Sequence, residues 1–255
     1  MYKLRVNHKA AAVASALLSA LIMVGCGSSD STPSVPTPTP TPTPVPTPPP
    51  ASTDVTLNVT ITNLTARQPF LPTAIVVGDA RTIGWVDGQP ASVGLEKLAE
   101  GAILDDYVTE LMGAGGVAKA TSTSPLPFGQ TASYDVTYAP SAGRTLTVTS
   151  MLVHTNDAFT GITGLPIGDI AVGETRTYMM PTWDSGTEDN DEQGAHIPGP
   201  DFGKEGFNPV RNDPVPFVHY HQGVVSKDDG FATSDLRSQH RFDNPTMRII
   251  IKRTK

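Results

Sequence analysis

Two stretches about thirty residues apart hold residues able to do chemistry: Met151-Leu-Val-His-Thr-Asn-Asp-Ala-Phe-Thr-Gly161 and Trp183-Asp-Ser-Gly-Thr-Glu-Asp-Asn-Asp-Glu-Gln-Gly194. Each puts carboxylates at the end of a predicted β-strand, in a loop softened by Gly and Asn, and neither contains a Lys or Arg. Unpaired acids brought together repel one another unless they are well solvated or a cation sits among them. The chemistry expected is therefore a divalent-metal site, with Ca²⁺ as the ion, at the tip of a β-sandwich. Ca²⁺ takes about six to eight oxygen ligands at roughly 2.3–2.6 Å. The regular Asp-x-Asp-x-Asp-Gly spacing of an EF-hand is absent. A sandwich has another route, in which two non-adjacent loops meet at one end. Asp157 comes from the first loop, and Asp184 and Glu188 from the second. The four-residue separation of Asp184 and Glu188, with Gly186 between, is expected to fold both carboxylates towards one point.

Strands must hold those loops. Val55, Leu57, Val59 and Ile61 alternate with Thr56, Asn58, Thr60 and Thr62, the period-two pattern of a half-buried strand. Similar runs follow at 133–138, 144–153, 174–180 and 246–253, separated by Pro and Gly clusters. Helical spacing is confined to Ala91–Met112. Ser92 is the N-cap, Leu95, Leu98, Ala99, Ile103, Leu104, Tyr107, Val108, Leu111 and Met112 form a stripe, Gly101 breaks or kinks it, and Gly113 with Gly115 stops it. That stripe is expected to pack on a sheet. Residues 190–244 are rich in Pro, Gly and Asp with little periodicity, as functional or covering loops are. The fold expected is mainly β, a mostly antiparallel sandwich with a short helical insertion.

Residues 1–25 read as a secretory signal: Lys3, Arg5 and Lys9 precede an apolar stretch from Ala10 to Val24, too short for a membrane span. The signal ends at Met23-Val-Gly-Cys26, which resembles a bacterial lipobox, and Cys26 is the only cysteine. Lipidation there would leave no thiol for a disulfide, so stability must come from a packed core and a bound ion. Gly27 rather than Asp follows the cysteine, which favours the outer membrane if the cell is Gram-negative. Residues 26–53 form a linker, and Ser31–Pro50 alone holds ten of the 24 prolines. Such a Thr-Pro repeat populates polyproline II and would span roughly 60 Å at about 3.1 Å per residue. Residues 54–255 are expected to form one domain. Loss of three basic residues with the signal takes the formal charge from −7 to −10. An acidic protein repels phosphate, which excludes nucleic-acid binding.

At its acidic loops the chain resembles the spondin family, the N-terminal domain shared by F-spondin and mindin. The family's Pro-Ser-Pro-Asp-Trp-Phe-Val-Gly motif is matched by His154-Thr-Asn-Asp-Ala-Phe-Thr-Gly161, and its Asp-Ala-Gly-Thr-Asp by Asp184-Ser-Gly-Thr-Glu188. Thr60-Ile-Thr-Asn-Leu-Thr with Phe70-Leu-Pro, Gly94-Leu-Glu-Lys-Leu-Ala-Glu-Gly and Arg248-Ile-Ile-Ile-Lys-Arg resemble the family's opening strand, helix and closing strand. The resemblance implies a C2-like sandwich that binds one Ca²⁺ through Asp157, Asp184 and Glu188. The chain departs from the family at Ala158, which stands for Trp, at Glu188 for Asp, and at Thr163 for a later Asp.

Other candidates are fewer. His219-Tyr-His221 would set two imidazoles on one face of a strand, with His196 and His240 nearby, an arrangement that with a carboxylate could hold zinc. Hydrogen-bonding histidines are the plainer account. No Gly-x-Ser-x-Gly, His-Glu-x-x-His or P-loop motif occurs, and no enzyme is expected. Asp189, Asp191 and Glu192 read as solvated charge, the Asn58 and Asn63 sequons as chance, and Trp85 and Trp183 as one core and one loop aromatic rather than sugar platforms. The function expected is a lipid-anchored cell-envelope module for adhesion or ligand binding, with a glycan or protein as partner at the cell surface. The alternative is an exported metal-dependent hydrolase. That enzyme would need an open coordination position beside a cleft, so the direction in which His219 and His221 point separates the two.

Overall fold

Alternating apolar residues and branched side chains build two antiparallel sheets. A computed structural model of the chain describes residues 53–199, 201–203 and 205–255. The signal at 1–25, Cys26 and all but the last residue of the 26–53 linker lie outside the described residues. The strands are β1 (Val55–Asn63), β2 (Phe70–Gly78), β3 (Ala118–Ser122), β4 (Thr131–Tyr138), β5 (Thr145–Leu152), β6 (Ala158–Pro166), β7 (Thr175–Met180), β8 (Thr182–Asp184), β9 (His219–Tyr220) and β10 (Met247–Arg253). One sheet runs β4-β1-β10-β7, the other β3-β2-β5-β6-β8-β9. The architecture is thus mainly β, a sandwich with two helices inserted.

Val55, Leu57, Val59 and Ile61 of β1 face Ile75, Val77, Leu146 and Val148 of the second sheet in one core, where most of these side chains have no exposure. Each fully buried Val, Leu or Ile contributes roughly 1.5–3 kcal/mol. β2 is buried on both faces. Its Ala74 and Val76 turn outwards to the helices α1 (Val93–Gly101) and α2 (Leu104–Gly113), and meet Leu95, Leu98, Tyr107, Val108 and Leu111. The expected stripe therefore packs on the sheet. Ser92 caps α1 by accepting from the Leu95 N–H at 3.1 Å, and the break falls at Ala102, in the left-handed conformation at φ 55°.

Five strands match runs legible in the sequence; β2, β3, β6, β8 and β9 were not expected. β6 begins at Ala158, inside the stretch read as a loop, and its first residue is buried in the inter-sheet core. β1 runs from Val55 at one end of the sandwich to Asn63 at the other, where it pairs with Met247 and through it reaches Met180. Just beyond that end lie the β5–β6 turn and β8, because Ala158 pairs with Asp184. Both acidic stretches therefore meet at the end of the fold away from Val55. Among the described residues no helix is long and apolar enough to cross a membrane.

Candidate metal centre

The β5–β6 turn is fixed by its own hydroxyl. Thr155 Oγ1 donates to the Leu152 carbonyl at 2.7 Å and accepts from the Ala158 N–H at 3.1 Å. This delivers Asp157, with no exposed surface, against the loop after β8. Its Oδ2 accepts four hydrogen bonds: from Ser185 Oγ at 2.8 Å, from the Thr187 N–H at 2.8 Å and Oγ1 at 3.2 Å, and from the Glu188 N–H at 3.1 Å. Its Oδ1 is buried and has no partner at all. Asp184, 1% exposed, accepts from the Gly186 N–H at 2.8 Å and from Asn190 Nδ2 at 2.7 Å. Gly186 sits at φ +69°, and a Cβ there would lie 2.5 Å from the Phe217 backbone. Only glycine lets the loop turn so tightly beneath its neighbour.

Carboxylate oxygens of Asp157, Asp184 and Asp213 lie within 4.8 Å of one another. Two of the three expected ligands thus converge, and the third acid is Asp213 in place of Glu188. The Gly186 turn aims the amides of Thr187 and Glu188 at Asp157, so Glu188 gives the site its N–H, while its carboxylate is not among the three that converge. Glu188 Oε2 is buried without a partner, and burial together with the nearby Glu100, Asp157 and Glu205 pushes the carboxyl up to about 9. Asp213 arrives on the strap that crosses α1, pinned by Arg211 Nη2 to Glu96 Oε2 at 2.7 Å and by the Asn208 N–H to Glu100 Oε2 at 2.9 Å. The Asn212 N–H then donates to the Thr187 carbonyl at 3.1 Å. Nothing in the Pro- and Gly-rich sequence around Asp213 marks it; only its place after Asn212, which reaches the Thr187–Asp189 loop, ties it to the site.

Burial and mutual repulsion hold the three carboxyls above the ordinary carboxylate range. For Asp157 the causes are burial and then Asp184, whereas for Asp184 and Asp213 burial dominates. Among the described residues no Lys or Arg pairs with any of them. No described Lys or Arg balances the set, and Asp157 Oδ1 is a buried oxygen without a partner. The residues present fit a hard divalent ion, which Asp157, Asp184 and Asp213 would hold.

Histidines line the other side. His219 Nδ1 lies 3.8 Å from Asp184 Oδ1 and His221 Nε2 lies 4.0 Å from Asp184 Oδ2. Both border a cavity of about 220 Å³ together with Asp184, Asp189, Glu192 and Asp213. The His221 Nδ1 accepts from the Gly223 N–H at 2.9 Å, so in the neutral ring the proton sits on Nε2. That nitrogen is buried and unpartnered, a donor turned towards the acids rather than a lone pair. Burial pushes the His221 pKa down, which keeps the ring neutral. His219 Nδ1 meets the Phe217 carbonyl at 2.9 Å, so it carries the proton and leaves Nε2 as an acceptor.

Of the remaining acids, Asp191 is engaged by Gln193 and His196, and Glu192 accepts from the Val225 N–H, so neither is simple solvated charge. Asp189 is exposed at the cavity rim. Thr163 lies away from the acids and accepts from the Gly84 N–H. His196 and His240 lie outside the cavity lining. No protein-family model matches the chain, and no curated protein is similar to it.

Proposed function

We propose that this protein is a calcium-binding, spondin-type ligand-binding module, held at the cell envelope by a lipid on Cys26 and raised on its Pro/Thr linker. The ion's part is to neutralise Asp157, Asp184 and Asp213 and so hold the β5–β6 turn, the loop after β8 and the Asp213 strap together as one rigid tip. One observation carries the reading: the enclosed, partnerless Asp157 Oδ1 beside two further carboxylates with no Lys or Arg paired to them among the described residues. The motif resemblance at His154–Gly161 and Asp184–Glu188 supports the family and the adhesion role. The lipobox pattern at Cys26 supports the anchor.

An ion that binds the folded state alone stabilises it by mass action, about 2.7 kcal/mol at a hundredfold excess over Kd. For a domain of this size that is roughly 5–10 °C in Tm, at about 2–4 °C per kcal/mol. Purified protein should melt higher in millimolar Ca²⁺ than in EDTA by that amount, and the Asp157→Asn variant should lose the difference. Identical melting in Ca²⁺ and EDTA would end the proposal.

A second reading is favoured by the direction of the histidines. With His219 and His221 facing the acid cavity, a metal-dependent hydrolase would have a proton acceptor at His219 Nε2 and a donor at His221 Nε2. It requires a water that exchanges on the ion. Water-proton relaxation of the Mn²⁺-loaded protein measures this directly, and the absence of an exchanging water would exclude the enzyme.

A further inference from the structure

The β8–β9 ribbon has two chemically different faces, because alternate residues of a strand point to opposite sides. Asp184 stands opposite His219 on the face that meets the acids, and Trp183 stands opposite Tyr220 on the other. There the Tyr220 and Trp183 rings stack at 4.3 Å with planes 18° apart, and Trp85 tilts against Trp183 at 6.0 Å. Trp85 and Trp183 are 6% and 8% exposed, but Tyr220 is 60% exposed. One face of the tyrosine ring is covered by Trp183, so the exposed area belongs to its other face and its hydroxyl. A cavity of about 280 Å³ lies beside it, bordered also by Asp87, Thr163 and Pro181. The enclosed Trp183 Nε1 has no acceptor in the protein, an open valence that buried polar groups rarely keep.

A rigid aromatic surface open on one side selects a flat partner with an apolar face. The exposed carboxylate of Asp87 and the hydroxyl of Tyr220 border it and select hydroxyl groups at that partner's edge. A quaternary ammonium would need several aromatic faces around it, and only one is open here. An anionic ligand meets Asp87 and a chain of formal charge −7. The volume admits one sugar ring, below the roughly 300–1,000 Å³ of sites for larger ligands. The proline and methionine floor, Pro181 with Met180, offers no charge.

We infer that the Tyr220 shelf binds one pyranose ring of a neutral oligosaccharide, with the C–H face of the sugar on Tyr220 and its hydroxyls on Asp87. The inference rests on the proposed function only for the module's role in binding a ligand, and the shelf does not require the ion. Neither tryptophan is itself exposed as a platform, as expected, although Trp183 lies in β8 rather than in a loop: the exposed ring is Tyr220, and the tryptophans support it from beneath.

The test is an array of neutral gluco-, manno-, xylo- and galacto-oligosaccharides probed with the purified full-length protein. Titration calorimetry on the strongest binder follows, in Ca²⁺ and in EDTA. At least one neutral oligosaccharide should bind. Tyr220→Ala should weaken it at least tenfold, Tyr220→Trp should restore it, and Asp87→Asn should weaken it severalfold. Both positions are exposed, and unchanged thermal melting of each of the three variants shows that the fold is kept. Silence across the array, binding unaffected by Tyr220→Ala, or Tyr220-dependent binding of tetramethylammonium without any sugar would each overturn the assignment. A Ca²⁺-dependent rise in Tm without sugar binding refutes the shelf alone. Sugar binding without a Ca²⁺ response refutes the ion alone.

Discussion

Two groups of potential ligands in this molecule satisfy the same measure of proximity and differ in what they need. Asp157, Asp184 and Asp213 form one; His154, Asp201 and His240 form the other, again with ligand atoms within 4.8 Å. The histidine group has a positive charge of its own, although His154 Nε2 is buried without a hydrogen-bond partner. His154 Nδ1 lies 3.0 Å from the Arg67 carbonyl and so carries the proton, and His240 Nδ1 accepts from the Arg237 N–H at 3.0 Å, which places its proton on Nε2. Asp201 lies 3.4 Å from His154 Nε2 and 3.7 Å from Arg67 Nη2. A guanidinium therefore supplies the positive charge, and Phe202 packs edge-on against both imidazoles. The carboxylate group has no such partner. Closeness of ligating atoms says little about a metal; an unbalanced charge with an idle oxygen says more.

Breaking the histidine side should produce the largest change in stability and leave the ion untouched. Gln68 is fully buried and ties that region together: its Nε2 donates to the His154 and His240 carbonyls at 3.0 and 2.8 Å, and its Oε1 accepts from the His154 N–H at 3.0 Å. Gln68→Ala strands buried backbone groups and should cost about 2–4 kcal/mol in urea unfolding. The Tm difference between Ca²⁺ and EDTA should persist. A lost Ca²⁺ response would mean that the two groups act as one.

The carboxylate side divides next. Asp213→Asn should weaken Ca²⁺ by at least about tenfold, or roughly 1.4 kcal/mol, by titration calorimetry. Glu188→Gln should leave the affinity within about twofold, because its carboxyl lies outside the group whose ligand atoms converge. The reverse outcome would restore Glu188 as the ligand and remove Asp213.

The smallest effect expected is on pH dependence in EDTA. Burial first, with neighbouring acids, pushes Glu100, Glu192 and Glu188 up to about 7, 8 and 9. The stability associated with their neutral forms is complete below the unfolded value near 4.5 and is lost as pH rises through 7–9. His154, His221 and His240 are pushed below 6.5, chiefly by burial, so they add stability above 6.5 that falls away as pH drops. Above pH 6.5 the histidines contribute no further gain, so metal-free Tm should decline by a few degrees between pH 6.5 and 9. Glu188→Gln should flatten that decline. A Tm that rises steadily from pH 6.5 to 9 would show these carboxyls to be ionised in the fold.

The sandwich was legible where burial is one-sided. Val55–Ile61 alternates because β1 has one face on the core, and the Ala91–Met112 stripe shows because the helices bury only one side. β2 was missed since both its faces are covered, which erases alternation, and β8 and β9 are too short to carry a period. Asp157 and Asp184 could be found because strand ends deliver them. Asp213 could not, since its position depends on Arg211 and Asn208 gripping α1 more than a hundred residues away in the chain. That Glu188 gives the site its N–H was decided by the turn at Gly186, which no spacing rule encodes.

The chain enters the fold at Val55, on a strand flanked on both sides by β4 and β10, and the acidic tip lies beyond that strand's other end. If the chain is anchored through Cys26 and its tip grips a ligand, as proposed, tension between the two would run along β1. Its ladders to both neighbours would then be strained in shear, many bonds at once, rather than peeled one by one. A domain so connected resists mechanical extraction best in the direction in which a tether would pull.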